Sequence, residues 1–158
     1  MSQTQTRRAV AEDLEALIAL RRAFYQSQIA VGLLDIPADL EAHLAATTPA
    51  LITGSRNDLL LNAEGPPSAY LYATTRIVPN AQRGAVGSIE EVFVAPEQRK
   101  SGLANLLVQE ATAALKARGA HRIQLRVLAN NTAGRRFWQT MGFVENLLFL
   151  ELPMGEAE

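Results

Sequence analysis

The chain contains no cysteine, which excludes a disulfide framework, thiolate metal sites and a cysteine nucleophile together. A cysteine-free chain suits a reducing compartment, and the expected location is cytoplasmic. Histidine is nearly as scarce. His43 and His121 are the only two, neither has a second metal-type ligand at helical spacing, and no metal site is expected. An excess of one charge is missing too, since 15 basic and 16 acidic residues are spread along the chain for a net charge of −1. That pattern offers no electrostatic footprint for a nucleic-acid backbone. No stretch approaches the ~18 consecutive apolar residues of a membrane span, and the polar run Met1 to Arg8 lacks the apolar core of a secretory leader. Neither nucleic acid nor a membrane is an expected partner.

What is present is an ordinary globular composition, 48% hydrophobic and 20% charged over 158 residues. One domain spanning 1–158 is expected, burying roughly two-thirds of the surface of its unfolded chain. Leu14, Leu17, Ile18, Leu20, Phe24 and Tyr25 recur at helical intervals and predict a first helix over Glu12–Ile29. A second, short helix is predicted after Pro37, from Ala38 to Ala46, with Thr47 to Asn57 as turn and loop. Strand patterns follow at Leu59–Leu61, Ala69–Val78 and Val86–Val94, separated by the turn Glu64–Pro67 and a polar loop from Pro79 to Gly84.

Gly102 to Arg118 is strongly helical in pattern and closed by Gly119, after which Ile123, Leu125 and Val127 alternate as on a strand. Strand, glycine-bearing turn, helix and strand make a βαβ unit with parallel strands and a ligand crevice at the carboxyl end of the first. Thr132–Met141 predicts a last helix ended by Gly142, and Phe143–Leu152 a terminal strand. The order implies a mixed α/β sheet, antiparallel early and parallel late.

Chemistry concentrates where Val86–Val94 hands over to the long helix. Gln98-Arg99-Lys100-Ser101-Gly102-Leu103-Ala104 occupies a helix N-terminus, whose first amides have no intrahelical partner. Gly102 and Ala104 keep side chains out of the way while Arg99 and Lys100 add positive charge, an arrangement suited to a pyrophosphate. Taken alone, the same small residues equally serve tight packing.

Two ordered motifs go further. Ile89-Glu90-Glu91-Val92-Phe93-Val94-Ala95-Pro96 followed by Arg99-x-x-Gly102-x-Ala104 resembles the acetyl-CoA signature of the GNAT N-acetyltransferases, (R/Q)-x-x-G-x-(G/A). Downstream, Asn131-x-x-Gly134-x-x-Phe137-Trp138-x-x-x-Gly142-Phe143 is similar to that family's N-x-x-A-x-x-(F/L)-Y-x-x-x-G-F helix. The resemblance implies the α/β GNAT fold, a mostly antiparallel mixed sheet with a parallel crossover and flanking helices. It implies acetyl-CoA as cosubstrate and an amine of a small molecule or peptide as acceptor. It also implies pantetheine pairing with the main chain of Val92, Phe93 and Val94, and a pyrophosphate held by Arg99, Lys100, Ser101, Gly102, Leu103 and Ala104. Asn131 becomes the expected contact to the pantetheine arm, and Arg135 and Arg136 expected partners of CoA phosphates.

A lysine-like amine, with a pKa near ~10.4, is protonated at neutral pH and cannot attack a thioester until a base takes its proton. Glu90 and Glu91 are the candidate catalytic bases, and strict alternation sends them to opposite faces. Glu90, grouped with Ser88 and Val92 and acting through a water, is preferred. A main-chain amide of Val94 or a neighbour is the expected oxyanion donor. Trp138 departs from the pattern, standing where the family commonly has a tyrosine acid; Tyr25, Tyr70 and Tyr72 are candidate substitutes. Glu91 and Asp58 are candidate attractors of a cationic acceptor. Homodimers are common among members, and Leu147–Leu150 is apolar enough for a buried edge or a subunit contact; both remain open. The alternative to catalysis is an acyl-CoA-binding or regulatory protein of the same fold, whereas neither a Walker pattern nor a dinucleotide glycine fingerprint occurs.

Overall fold

A computed structural model describes residues 5–33, 35–79, 82 and 84–155. Met1–Thr4 of the polar N-terminal run, and Asn80, Ala81 and Arg83 of the expected polar loop, lie outside the described residues. The elements are β1 (Thr6–Arg8), α1 (Leu14–Ala30), α2 (Leu40–Thr53), β2 (Asn57–Asn62), β3 (Ala69–Ile77), β4 (Ala85–Val94), α3 (Leu103–Ala117), β5 (Ala120–Leu125) and α4 (Thr132–Thr140). Short 3-10 turns at Ala11–Asp13 and Pro96–Gln98 precede α1 and α3.

One sheet has the order β1-β2-β3-β4-β5, antiparallel from β1 to β4 and parallel between β4 and β5. This is the expected mixed α/β sheet. Its two faces follow from alternation, because successive side chains of a strand point oppositely. Leu59, Leu61, Tyr70 and Phe93 pack with Leu17 and Leu20 of α1 and with Leu51 and Ile52 of α2. Leu60, Leu71, Ala73 and Ile89 pack against Leu103, Leu107, Val108, Ala111 and Leu115 of α3, joined by Phe137, Trp138 and Met141 from α4. β2 and β3 are covered on both faces, hence their nearly unbroken burial.

Four expectations change. α2 does not stop at Ala46 but continues through Pro49 to Thr53, replacing the predicted loop. Proline costs an interior helix about 3 kcal/mol, and the packing of Leu51 and Ile52 on the α1 cluster supplies the offset. Thr6–Arg8, read as a polar terminus, is an edge strand paired with Leu60–Asn62. β5 ends at Leu125, so Val127 lies beyond it and is exposed. Finally, Phe143–Leu152 is not a strand. A strand exists only through the hydrogen bonds of a neighbour, and this segment pairs with no strand among the described residues: Phe143 packs on the α3 cluster, while Val144, Leu147 to Leu150 and Leu152 stand in solvent.

Asp58 is fully buried and accepts from Arg8 of β1 and from Arg118 Nε at 2.9 Å just after α3. Its charge ties three elements together, and so is not free to attract an acceptor.

Candidate functional site

β4 outlasts its parallel partner. β5 pairs with β4 only as far as Ile89 opposite Leu125, whereas β3 goes on pairing through Tyr70 opposite Phe93 and Ala69 opposite Val94. From Glu90 to Val94 one edge of β4 therefore has no strand partner among the described residues. The Ala95 amide donates to the Ser68 carbonyl at 2.8 Å, on the β3 side. Successive amides of an extended chain point to opposite edges, so the Val94 amide points into the gap. The Val94 carbonyl accepts from Arg99 Nε at 3.2 Å.

The register of β4 also slips. Tyr72 stands opposite Glu91 but Ala73 opposite Ile89, making Glu90 the extra residue of a β-bulge. Beyond it Val92 and Val94 pack toward the α3 cluster, while Phe93 packs toward α1. Uninterrupted alternation would group Glu90 with Val92; the bulge removes that grouping, leaving Val92 half-buried and Glu90 exposed. Both carboxylates act on Tyr72, whose hydroxyl is pushed above its usual pKa by burial first and then by the charges of Glu90 and Glu91.

Glu91 is buried and fully engaged. Arg21 of α1 holds it through Nε at 2.9 Å and Nη2 at 2.8 Å, and the Tyr70 hydroxyl donates to it at 2.8 Å. Arg21 Nη1 also donates to the hydroxyls of Thr47 and Thr48, each at 2.9 Å. Burial opposes the Arg21 charge, but the hydrogen bond and charge of Glu91 outweigh it, and the guanidinium pKa rises. The Tyr70 hydroxyl is driven well above its usual pKa by burial, with the Glu91 charge and hydrogen bond adding. The network joins β3, β4, α1 and α2 under the bulge. It also occupies Glu91, which is therefore no more available than Asp58 to attract a cation.

At the end of β4 the chain turns through residues that curl it strongly. Lys100 has φ +63° and Gly102, the residue before α3, has φ +83°. Left-handed residues in such a run shape the backbone into concavities in which amides hold anions. The Leu103 amide donates to Ser101 Oγ at 3.4 Å, and Gly102 has no side chain to cap α3, so the next first-turn amides stay available. A Cβ built on Gly102 meets no atom within 4 Å; a side chain there would stand in open volume. A cavity of about 400 Å³ lies here, lined by Val94, Gln98, Arg99, Lys100, Gly102, Leu103, Ala104, Asn105 and Phe137.

The structure thus gathers Val94, Arg99, Lys100, Gly102, Leu103 and Ala104 around one cavity. The Ser101 hydroxyl turns back to the Gln98 carbonyl at 2.7 Å. The other predicted residues lie elsewhere. Asn131 caps α4, accepting from the Gly134 amide at 2.9 Å. Arg135 and Arg136 line a separate cavity of about 250 Å³ with Thr132 and Gln139, and Arg135 pairs with Glu145 at 2.6 Å.

A chain with these features matches the Acetyltransferase (GNAT) family over residues 61–143, more than half its length. The chain belongs to the GNAT acetyltransferase family. An uncharacterized N-acetyltransferase of Methanocaldococcus jannaschii is 28% identical over 81 residues, 51% of this chain and 36% of that relative, so the match spans well under half of the relative's length. Among solved structures, a transcriptional regulator from Bacillus halodurans superposes with a TM-score of 0.77 at 21% identity, covering 96% of this chain and 100% of the other. An aminoglycoside 6'-N-acetyltransferase from Acinetobacter haemolyticus gives 0.75 at 20%, with 97% and 99% covered. An aminoglycoside N-acetyltransferase in complex with CoA gives 0.78 at 18%, with 97% and 95% covered. At such identities these likenesses show the GNAT fold.

Within this GNAT chain Trp138 is a packing residue, edge-on to Phe137 at 4.9 Å and to Phe143 at 5.2 Å between ring centres. Sequence reasoning missed Arg21 and Asn105, while Gln98 and Phe137 stood in its two motifs without an assigned role. For Arg21 there was a signal: it falls four residues after Leu17 and three before Phe24, a lone cation on an apolar helical stripe.

Proposed function

We propose that this chain is an acetyl-CoA-dependent N-acetyltransferase acting on a primary amine of a small molecule or peptide. The observation that carries the reading is the unpaired edge of β4 opening onto an uncapped helix start flanked by Arg99 and Lys100. The cavity residues fit the cosubstrate: free amides and two cations for a pyrophosphate, and no side chain at Gly102 to fill the space. Val92 and Val94 turn main chain toward the pantetheine while Phe93 between them faces β3, Ala104 contributes a first-turn amide, and Ser101 braces the turn by accepting from the Leu103 amide. Arg135 and Arg136 serve the phosphates at the outer end, with Asn131 holding the start of α4. The cytoplasm, where acetyl-CoA is made and consumed, is the matching compartment.

Glu90 is the base. It is exposed at the bulge and takes the ammonium proton through a water, freeing the nitrogen lone pair to attack the thioester carbonyl. Glu91, both oxygens occupied, is a positioning residue that fixes the bulge. The Val94 amide, aimed into the gap, meets the oxygen that gains charge as the C–N bond forms. The C–S bond then breaks, the nitrogen gives up its second proton to water to leave the neutral amide, and a thiolate whose acid has a pKa of about 8.5 leaves without an enzymic acid and is protonated by solvent.

Aminoglycosides, the substrates in the names of several proteins of this fold, belong in the first acceptor panel. Protein, acetyl-CoA and a set of amines with a thiol reagent should show CoA release above background for at least one amine, and Glu90→Gln should lower kcat about 10²–10⁴-fold. No release with any amine would refute transfer; CoA binding in that case would leave the acyl-CoA-binding alternative.

A further inference from the structure

We infer that the acceptor is a free amino acid, with its ammonium group at Glu90 and its carboxylate on Arg126. The inference rests on the acetyl-transfer reading and narrows the acceptor from primary amines in general to zwitterions.

β4 and β5 run parallel, with Ser88 level with Gln124 and Ile89 level with Leu125. Continued by one step, that register sets Glu90 beside Arg126, at the point where the strands part and the gap opens. Ile89 and Leu125 both pack on the α3 cluster, so by alternation the residue after each leaves the backbone on the opposite face, toward α1. Tyr72, packed on that same α1 face, feels the charge of Glu90. Both Glu90 and Arg126 are exposed, and neither has an ion-pair partner among the described residues. An exposed ion pair between them would contribute little, so the two charges stay open to a ligand that carries both signs.

An amino acid holds a cation and an anion a few bonds apart and so matches two opposite charges on neighbouring strands. The planar guanidinium takes a carboxylate through two parallel hydrogen bonds, while Glu90 draws the ammonium group whose proton it removes before attack. The sequence around Arg126 supplies no acid of its own: 111–144 contains no aspartate or glutamate but six basic residues, Lys116, Arg118, Arg122, Arg126, Arg135 and Arg136. Elsewhere Arg7 engages Asp13, Arg22 engages Glu41, Arg118 engages Asp58 and Arg21 engages Glu91. A polycation such as an aminoglycoside would therefore meet Glu90 beside a guanidinium and a long basic segment, and like charges brought together weaken binding.

CoA release is to be measured with each protein amino acid beside its carboxamide, which keeps the amine and the side chain but not the anionic charge, and with simple amines and an aminoglycoside. At least one amino acid should be acetylated with kcat/KM about 10–100-fold above its carboxamide, the range expected of one charge-assisted contact, and faster than the aminoglycoside. Arg126→Gln should bring that ratio close to one. Its circular dichroism spectrum should match the parent's because the side chain is exposed, and its CoA affinity by calorimetry should be the parent's because Arg126 does not line the cavity at the start of α3. Acetylation of carboxamides, simple amines or the aminoglycoside as fast as of any amino acid overturns the inference and leaves the acetyl-transfer reading standing. A preference for the carboxylate that survives Arg126→Gln overturns it as well. An absence of CoA release with every one of these amines overturns both.

Discussion

Replacing Arg21 by leucine isolates the polar network beneath the bulge. The change removes both donors from Arg21 to Glu91, at 2.9 and 2.8 Å, and leaves the buried carboxylate with the Tyr70 hydroxyl alone. Little else is lost. Thr47 and Thr48 still donate to the carbonyls of His43 and Leu44, at 2.8 and 2.6 Å, and leucine keeps most of the apolar stem volume. Breaking a buried pair from one side costs about 3–5 kcal/mol, because the remaining charge is uncompensated. In a domain of this size that is roughly 6–20 °C in Tm. The triple variant Arg21→Leu, Glu91→Leu, Tyr70→Phe removes every charge and donor of the group, and its stability should return to within about 1–2 kcal/mol of the parent. Urea unfolding of parent, single and triple variants at pH 7 supplies the comparison. A single variant that loses less than about 1 kcal/mol, or a triple variant no more stable than the single one, would refute the account of the network as a buried charge pair.

Gly102→Ala must hold alanine at φ +83° and put a methyl group in open cavity space; the expectation is a stability loss of about 1–2 kcal/mol and CoA affinity at least tenfold weaker by calorimetry. Unchanged affinity would mean that the ligand does not use this turn. Gly87→Ala brings a Cβ to 2.9 Å from Leu115 Cδ1 and 3.2 Å from its Cβ, so overpacking should cost about 1–3 kcal/mol in thermal unfolding, and a loss under about 0.5 kcal/mol would show that β4 and α3 can part freely. Asp13 is held below its ordinary pKa of 3.8, chiefly by the side-chain hydrogen bond from Arg7. Its contribution is therefore complete above the unfolded value and disappears as pH falls through the lower folded value. Asp13→Asn should lower the urea midpoint at pH 6 and flatten its decline below pH 4; an acid limb as steep as the parent's would contradict the Arg7 pairing.

Much of this protein is local in origin. Helical spacing in Leu103–Leu115, alternation in β3 and β4, and the small residues at the start of α3 are properties of short segments, and short segments carry their periodicity with them. The succession from β4 to β5 requires parallel pairing for the reason that a long crossover separates the two strands. The anion-binding character of Gln98–Ala104 is likewise local, since a helix start exposes its amides wherever it occurs. Family membership was legible in the same residues.

Tertiary structure decided whatever depends on a distant partner. Pro49 reads as a stop within its own segment, yet packing of Leu51 and Ile52 against α1 carries the helix past it. Phe143–Leu152 has the composition of a strand, but a strand needs a neighbour's hydrogen bonds, and among the described residues this segment pairs with no strand. Glu90 and Glu91 are chemically equivalent as letters. A bulge set by pairing with β3, and an arginine seventy positions away on α1, bury one and expose the other. Sequence alone determined which segments could bind the donor. Burial and long-range pairing, which no local pattern encodes, determined which of the two carboxylates is left free to act.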